Sequence, residues 1–483
     1  MRPQIPASES ERRQLRDQMI KEAEADYLRP MYHFRAPGGW MNDPNGTVYY
    51  QGQYHLFYQH FPYSQSSGQM LWGHATSPDC IHWTHQPLAI IPGMSQLPEK
   101  EQECWSGCCV IHAGVPTIYY TSIGSAWPAK YDATQWAAIS HDNMVTWEQV
   151  PENPVMTEEL HKNFPHPIGD WRDPYLFQYD GHWYAVLGGH MNQTGADSTE
   201  IKSGPFEVPA VFLYQSENLQ TWRFLGVLCD GYAGGGDPGR KPSSAFGQSE
   251  MTAHYTNINW ECPNFFPLGS KWVLIVSPYS PPRYAVGTFD GNKFVPEGWH
   301  YFDFSRTFYA TNTFRTPQGD LLVVGWIRVK GEKGWEGCTS LPRKVTLDPT
   351  SGLIITPFEG IQQLRINHEH TTVHSFPYSI SSDICKHCER RLEMDLHITI
   401  DPVAITEDSR FGIQLFTATD VGDPIAAEIG IVWDESTFFL GKEAARLDLN
   451  GMQQFHIHLF IDNSVIEVFL NNKYWLTGSF CGI

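Results

Sequence analysis

Five short apolar runs, each opened by a turn, limit what this chain can fold into more than any other feature of its sequence. They read GQYHLFYQ at 52, GVPTIYYT at 114, GHWYAVLG at 181, GSKWVLIV at 269 and GDLLVVGW at 319. Each has the length of a strand, is rich in β-branched and aromatic residues, and lacks helical periodicity. Five runs predict five similar units. A second repeat agrees: SPDCIHW at 77, SHDNMVTW at 140 and SENLQTW at 216 share a Ser, an acidic residue and a Trp at nearly fixed offsets. Repeats of roughly 60 residues built from short strands predict an all-β chain whose main body is a five-bladed β-propeller.

Composition narrows the partners. With 33 Lys+Arg against 53 Asp+Glu the formal charge is −20, which repels phosphate backbones and anionic lipid. Nucleic acid and membrane surfaces are therefore not expected as partners. Seventeen Trp, 22 Tyr and 27 Phe supply aromatic faces that can stack on apolar ligand surfaces, sugars among them. The first thirty residues lack the apolar core of a secretory signal, and no run is long enough to span a membrane. Instead, Ser8 and Glu11 fit a capping box ahead of a helix in RRQLRDQMIKEAEADYL. These features point to a cytoplasmic protein, or to a secreted one if the sequence is an already processed form. The ten scattered cysteines suit buried thiols better than a disulfide framework.

GGWMNDPNG at 38–46 places Asp43 among turn-forming residues, so the simplest role for it is to bend the chain. Register argues for more. Asp43 precedes Tyr54 by eleven residues, Asp173 of WRDPYLF precedes Tyr184 by eleven, and Glu261 of WECPNFF precedes Trp272 by eleven. The same count lands on Ser106 in the second unit and Ala310 in the fifth. If that station lies on the innermost strand of each blade, the three acids converge at one end of the central channel.

Clustered carboxylates in an aromatic site serve either metal binding or glycosidic bond cleavage. A calcium or magnesium site needs six or more oxygens, commonly from closely spaced acidic loops, and no D-x-D-x-D run is present. Cleavage with retention needs a nucleophile and an acid/base about 5–5.5 Å apart. Asp43 and Glu261 supply such a pair, and Asp173 can order sugar hydroxyls and stabilise an oxocarbenium-like transition state.

WMNDPNG, WRDP and WECP in this order, with WGHATSPDCIHW, CWSG and GWEGCTSLPR, closely resemble glycoside hydrolase family 32, the invertase and fructan hydrolase family. The resemblance runs from about Met31 to Arg343 and continues weakly to the end. It implies a five-bladed propeller followed by a C-terminal β-sandwich, with Asp43 as nucleophile, Glu261 as general acid/base and Asp173 as transition-state stabiliser. It implies no cofactor and no metal. Carried over by position, Trp40, Asn42, Gln59, Trp105, Ser106, Arg172 and, as a weaker match, Trp335 are substrate-binding positions. The function implied is retaining cleavage of terminal β-D-fructofuranosides such as sucrose and short fructo-oligosaccharides, with a small sugar as the partner and the oligomeric state left open. Fructan hydrolysis and fructosyl transfer are alternatives within the family, and a carbohydrate-binding propeller without turnover is the non-enzymatic one.

The expected units are a helical extension over 1–30, a catalytic propeller over 31–345 and a sandwich over 358–483. Strands such as RLEMDLHITI and HLFIDNSVIEVFLNN alternate as half-buried antiparallel sheets do. The family's sandwich continues beyond the point where this chain stops, so its final strand is expected to be missing or replaced. Ser67 stands where the family carries a Trp in the wall of the sugar site, with Tyr63 a candidate to fill the gap, whereas Trp72 reads as a packing residue. The Gly/Ser/Pro-rich stretch 229–257 precedes the proposed acid and reads as a functional or floppy loop. NHEHTTVH at 367 and CKHC at 385 offer zinc-type ligands, but a lone C-x-x-C is a weak signal, and solvated loop with buried thiols is the expectation there.

Overall fold

The computed structural model describes residues 3–92, 102–124, 133–193, 206–231, 259–349, 352–370, 372, 390–401, 405, 409–416, 425–449 and 451–479. Most of the 229–257 stretch, Cys385 to Cys388 and the last four residues lie outside them.

The chain is built mostly of β-strands. Gly39–Tyr50, Gln53–Phe61, Leu71–Ser77 and Thr84–Ile90 form an antiparallel meander in sequence order, and four-stranded meanders recur over 102–149, 168–230 and 261–301. In a fifth group Phe308–Arg315 pairs with Leu321–Lys330. One half of that second strand then pairs with Trp335–Thr339 and the other with Arg343–Asp348, which carries Gly352–Pro357 outermost. Trp335 and Glu336 also pair in parallel with Gly39 and Trp40, which joins the first and last groups into one nine-stranded sheet. The five apolar runs of the sequence are the second strand of each group. Their freedom from alternation has a physical cause: hydrophobic clusters lie between successive sheets, so both faces are covered. Phe57 and Trp72 meet Ile118 and Trp136 in one cluster, and Trp183 and Phe212 meet Tyr119 in the next.

The Ser-containing repeat is turn chemistry between the third and fourth strands. Ser77 Oγ bonds Asp79, Ser140 Oγ bonds Asp142 and Ser216 Oγ bonds Asn218, and each partner oxygen then accepts backbone N–H groups a few residues on. In the third copy the partner is Asn218, not the acidic Glu217 of the sequence pattern.

The first strands of the five groups pack side by side in chain order, and the fifth packs against the first. Every one of them is bulged at the same level. Asn42–Asp43, Trp105–Ser106, Asp173–Pro174, Cys262–Pro263 and Ala310–Thr311 each set two residues against one of the neighbouring strand. This corrects the eleven-residue register: Asp43 is the second bulged residue, Asp173 the first, and Glu261 the residue just before. Counting from Tyr54, Tyr184 and Trp272 hid the stagger because these lie five, three and four residues before the residue that faces the bulge, and the first hairpin carries a further irregularity between Asn45 and Val48.

Helix Glu9–Glu24 is capped by Ser8, whose Oγ accepts the Glu11 N–H, and it packs on the first sheet. No helix among the described residues is long and apolar enough to cross a membrane. Beyond Gly352–Pro357, Arg391–Thr399, Gln454–Asp462, Val465–Leu470 and Tyr474–Ser479 form one antiparallel sheet. Arg410–Phe416, Ile425–Val432, Thr437–Leu440 and Glu443–Arg446 form another, and the two share a core that includes Ile429, Phe438, Ile457 and Val468. Buried charges tie this C-terminal part to the body. His33 bridges Asp462 (2.9 Å) and Glu467 (3.0 Å), and Arg343 bridges Glu467 (2.6 Å) and Asp303 (2.8 Å).

Candidate active site

The bulges explain how three carboxylates from three sheets come together. A bulge re-aims side chains and frees backbone groups from the ladder. Asp173 and Cys262, first residues of their bulges, take φ of 62° and 46°. Residues without glycine's freedom hold such φ only where the surroundings fix them. Here the Asp173 N–H bonds Thr121 Oγ1 (2.9 Å), while the Cys262 N–H donates to Asp173 Oδ2 (2.9 Å).

Asp43 accepts hydrogen bonds from Ser106 Oγ (2.6 Å) and Asn42 Nδ2 (3.1 Å), and Cys262 Sγ lies 3.5 Å from its Oδ2. The same thiol is 3.6 Å from Asp173 Oδ2, so Cys262 stands between the two aspartates. Glu261 Oε1 accepts from Arg172 Nη2 (2.7 Å), and its Oε2 accepts from the Tyr309 hydroxyl (2.5 Å). Arg172 also donates to Tyr279 (2.7 Å), and its Nε lies 3.9 Å from Asp173. The three acids thus form one connected cluster.

Electrostatics follow from that crowding. Burial raises the Asp43 pKa, against the pull of the Ser106 hydrogen bond, and the charge of Glu261 adds to the rise. Burial pushes Asp173 up to about 7, opposed by the Arg172 guanidinium and reinforced by Glu261. Each carboxylate is already supplied with donors of its own. The arrangement suits covalent and proton-transfer chemistry.

The expected binding residues divide. Gln59 Nε2 donates to Ser106 Oγ (2.7 Å) and its Oε1 accepts from Asn42 (3.0 Å), while Asn42 Oδ1 accepts from the Trp40 indole (2.7 Å). Trp40, Asn42, Gln59 and Ser106 therefore form one chain ending on Asp43. Trp105 places its ring 5.5 Å from the Arg172 guanidinium and donates to Glu103. Trp335 does not join them. It is 2% exposed, packs with Ala23 and Ile327, and gives its indole N–H to Asp26 (2.9 Å), which is how the N-terminal segment is fastened to the last sheet. Its backbone pairs with Gly39, which sets it beside the first strand while its side chain stays outside the cluster. Trp72 is fully buried and donates to the Trp105 carbonyl, a packing role. Tyr63 sets its ring edge-on against Phe61.

A model of the glycosyl hydrolases family 32 N-terminal domain matches residues 33–357, and one of the glycosyl hydrolases family 32 C terminal matches 361–481. The chain belongs to glycosyl hydrolases family 32. A sucrose-6-phosphate hydrolase of Zymomonas mobilis is 26% identical over 484 residues, covering 92% of this chain and 84% of that protein. A raffinose invertase of Escherichia coli is 27% identical, covering 92% and 87%. A Bombyx mori GH32 beta-fructofuranosidase structure superposes with a TM-score of 0.69 at 27% identity, covering 98% of this chain and 93% of that one. The sucrose-6-phosphate hydrolase from Lactobacillus gasseri gives 0.74 at 22% identity, covering 99% and 93%, a likeness of fold.

Within this family 32 glycoside hydrolase, sequence reasoning overlooked Cys262, Tyr279 and Tyr309. Tyr309 had a signal: it precedes its bulge as Glu261 precedes the one before it, so correct register places both at one level. Cys262 adjoins Glu261 in sequence. Tyr279 lies in SPYSPP after the second strand, where nothing in the pattern marks it.

Proposed function

We propose that this chain is a retaining β-fructofuranosidase acting on sucrose or short fructo-oligosaccharides. The observation that carries this reading is the cluster itself: Asp43, Asp173 and Glu261, from three sheets, joined through Cys262 and Arg172. Asp43 attacks the anomeric carbon of the fructosyl unit while Glu261 gives its proton to the leaving oxygen. The ester on Asp43 is then opened by water, whose proton returns to Glu261. Ser106 and Asn42 hold the nucleophile's carboxylate in place, and Asp173, fixed by the Cys262 N–H, faces the positive charge that develops on the sugar. Trp40, Asn42, Gln59, Trp105, Ser106 and Arg172 bind the fructosyl hydroxyls and ring carbons. The names of the relatives, which include hydrolases of sucrose-6-phosphate and an invertase, support a small fructoside as substrate.

The scaffold for this chemistry is a five-bladed propeller over 31–345, a sandwich over 358–483 and a helical extension over 1–30. Support comes from the cyclic packing of five first strands and from a small cavity beneath the acids to which all five contribute, through Asn45, Gly107, Asp173, Asn264 and Asn312. The test is release of glucose and fructose from sucrose by the wild type, with Asp43→Ala expected to fall by at least about 10³-fold, as loss of a covalent nucleophile implies. Undiminished hydrolysis in that variant contradicts the assignment.

A further inference from the structure

Far from the carboxylate cluster in sequence, the C-terminal part carries a second group of potential ligands on one sheet face. Strand Arg391–Thr399 is the outermost described strand of its sheet and pairs antiparallel with Gln454–Asp462. In that register His397 lies directly opposite His456, and Asp395 opposite His458. Residues two apart on a strand share a face, so Asp395, His397, His456 and His458 stand together. The His397 and His456 rings stack at 4.5 Å, 5° from parallel. Both turn Nε2 toward the same oxygen: Asp395 Oδ1 is 3.4 Å from His397 Nε2 and 2.5 Å from His456 Nε2.

We propose that Asp395, His397 and His456 form a surface site for a zinc-class divalent transition metal, clipping the outer strand to its neighbour. Two imidazoles and one carboxylate are the ligand types such ions prefer, and water completes an open fourth position. Their ligand atoms all lie within 4.8 Å of one another. Tetrahedral coordination with bonds near 2.0–2.2 Å sets ligand atoms roughly 3.4 Å apart. The His397–Asp395 separation has that value already, and the His456–Asp395 contact needs to open by about an ångström, a rotation within reach of exposed side chains. Side-chain exposures of 76%, 31% and 50% for His397, His456 and Asp395 leave an open approach. The neighbouring Glu393 is engaged by Arg365 through both oxygens and by His458 (2.8 Å), which confines the ligand set to these three residues. The chain's net charge of −20 favours cation approach. A metal here binds the folded register and not the unfolded chain, so it stabilises the sheet.

Co2+ titration of the full chain tests the site, because cobalt reports its ligands by colour. The expected result is visible d–d absorption saturating near one equivalent, without thiolate-to-cobalt charge transfer. Half-saturation should rise at least about tenfold in both His397→Ala and His456→Ala, since each removes one of three ligands. His397 is exposed and His456 half-buried on the sheet face, so the variants are expected to keep the fold, which far-UV circular dichroism checks. Absence of the visible bands, bands with thiolate character that point to cysteines instead, or an unchanged titration in either variant overturns the proposal.

Discussion

Asp173 illustrates the cost of assembling this cluster at the scale of one residue. Its pKa stands at about 7 in the fold against an ordinary 3.8, so between those values the folded chain holds a proton that the unfolded chain has lost. Stability therefore declines as pH rises through that window, and above about 7 the penalty is fully in place. Asp173→Asn keeps an oxygen for the Cys262 N–H and removes the charge. It should raise Tm at pH 8 by roughly 2–4 °C, what about 1 kcal/mol is worth in a larger domain, leave Tm at pH 4 nearly unchanged, and abolish most activity. Thermal unfolding at the two pH values checks this; an equal shift at both contradicts the electrostatic account.

At the scale of elements, the site depends on how closely neighbouring sheets approach. Gly188, on the second strand of its sheet, faces the backbone of the next: a Cβ there would sit 1.8 Å from the Trp260 carbonyl oxygen, one residue before Glu261. Gly188→Ala must push that strand aside. A stability loss of about 1–3 kcal/mol is expected from such overpacking, with kcat falling more than KM rises because the displaced group is the acid/base. Denaturant unfolding and steady-state kinetics check it, and unchanged kcat argues against this coupling. The second strands were legible in the sequence because burial on both faces makes them continuous apolar runs. The bulges were not, since an extra residue leaves no mark in a pattern counted from another strand. The three acids were nonetheless expected to converge, because WMNDPNG, WRDP and WECP carry their own neighbours with them, and their side chains do cluster. Trp335, expected as a sugar-binding position, has its backbone paired with Gly39 and its indole bonded to Asp26, and sequence alone does not separate those duties from sugar contact. The metal-type cluster was invisible because His397 and His456 are brought together only by cross-strand register, whereas the contiguous CKHC drew attention to itself.

At the scale of the whole molecule, the body and the C-terminal sheets are joined by buried ions. His33 is desolvated, which alone would lower its pKa, yet hydrogen bonds to Asp462 and Glu467 raise it to about 9. Its contribution to stability is therefore complete below its unfolded value of 6.5 and is lost as pH rises through about 9. Asp462 and Glu467 have lowered values, so their contribution is present above the ordinary carboxylate range and fades on acidification. Tm should be highest from about pH 5 to 6.5 and fall on the alkaline side, and His33→Gln should flatten that alkaline fall while lowering the maximum. A scan of Tm against pH for both chains tests it, and an alkaline limb identical in the variant contradicts it.

The assigned chemistry turns on Asp43 being the residue that becomes esterified. The Glu261→Gln variant, which retains Asp43 but can neither protonate a leaving group nor take a proton from water, is mixed with β-fructofuranosyl fluoride, whose fluoride leaves without protonation, quenched in acid and mapped by peptide mass spectrometry. A fructosyl group esterified to the peptide carrying Asp43 is the predicted result. A label on the peptide carrying Asp173, or inverted configuration in the fructose first released by the wild type, would contradict it.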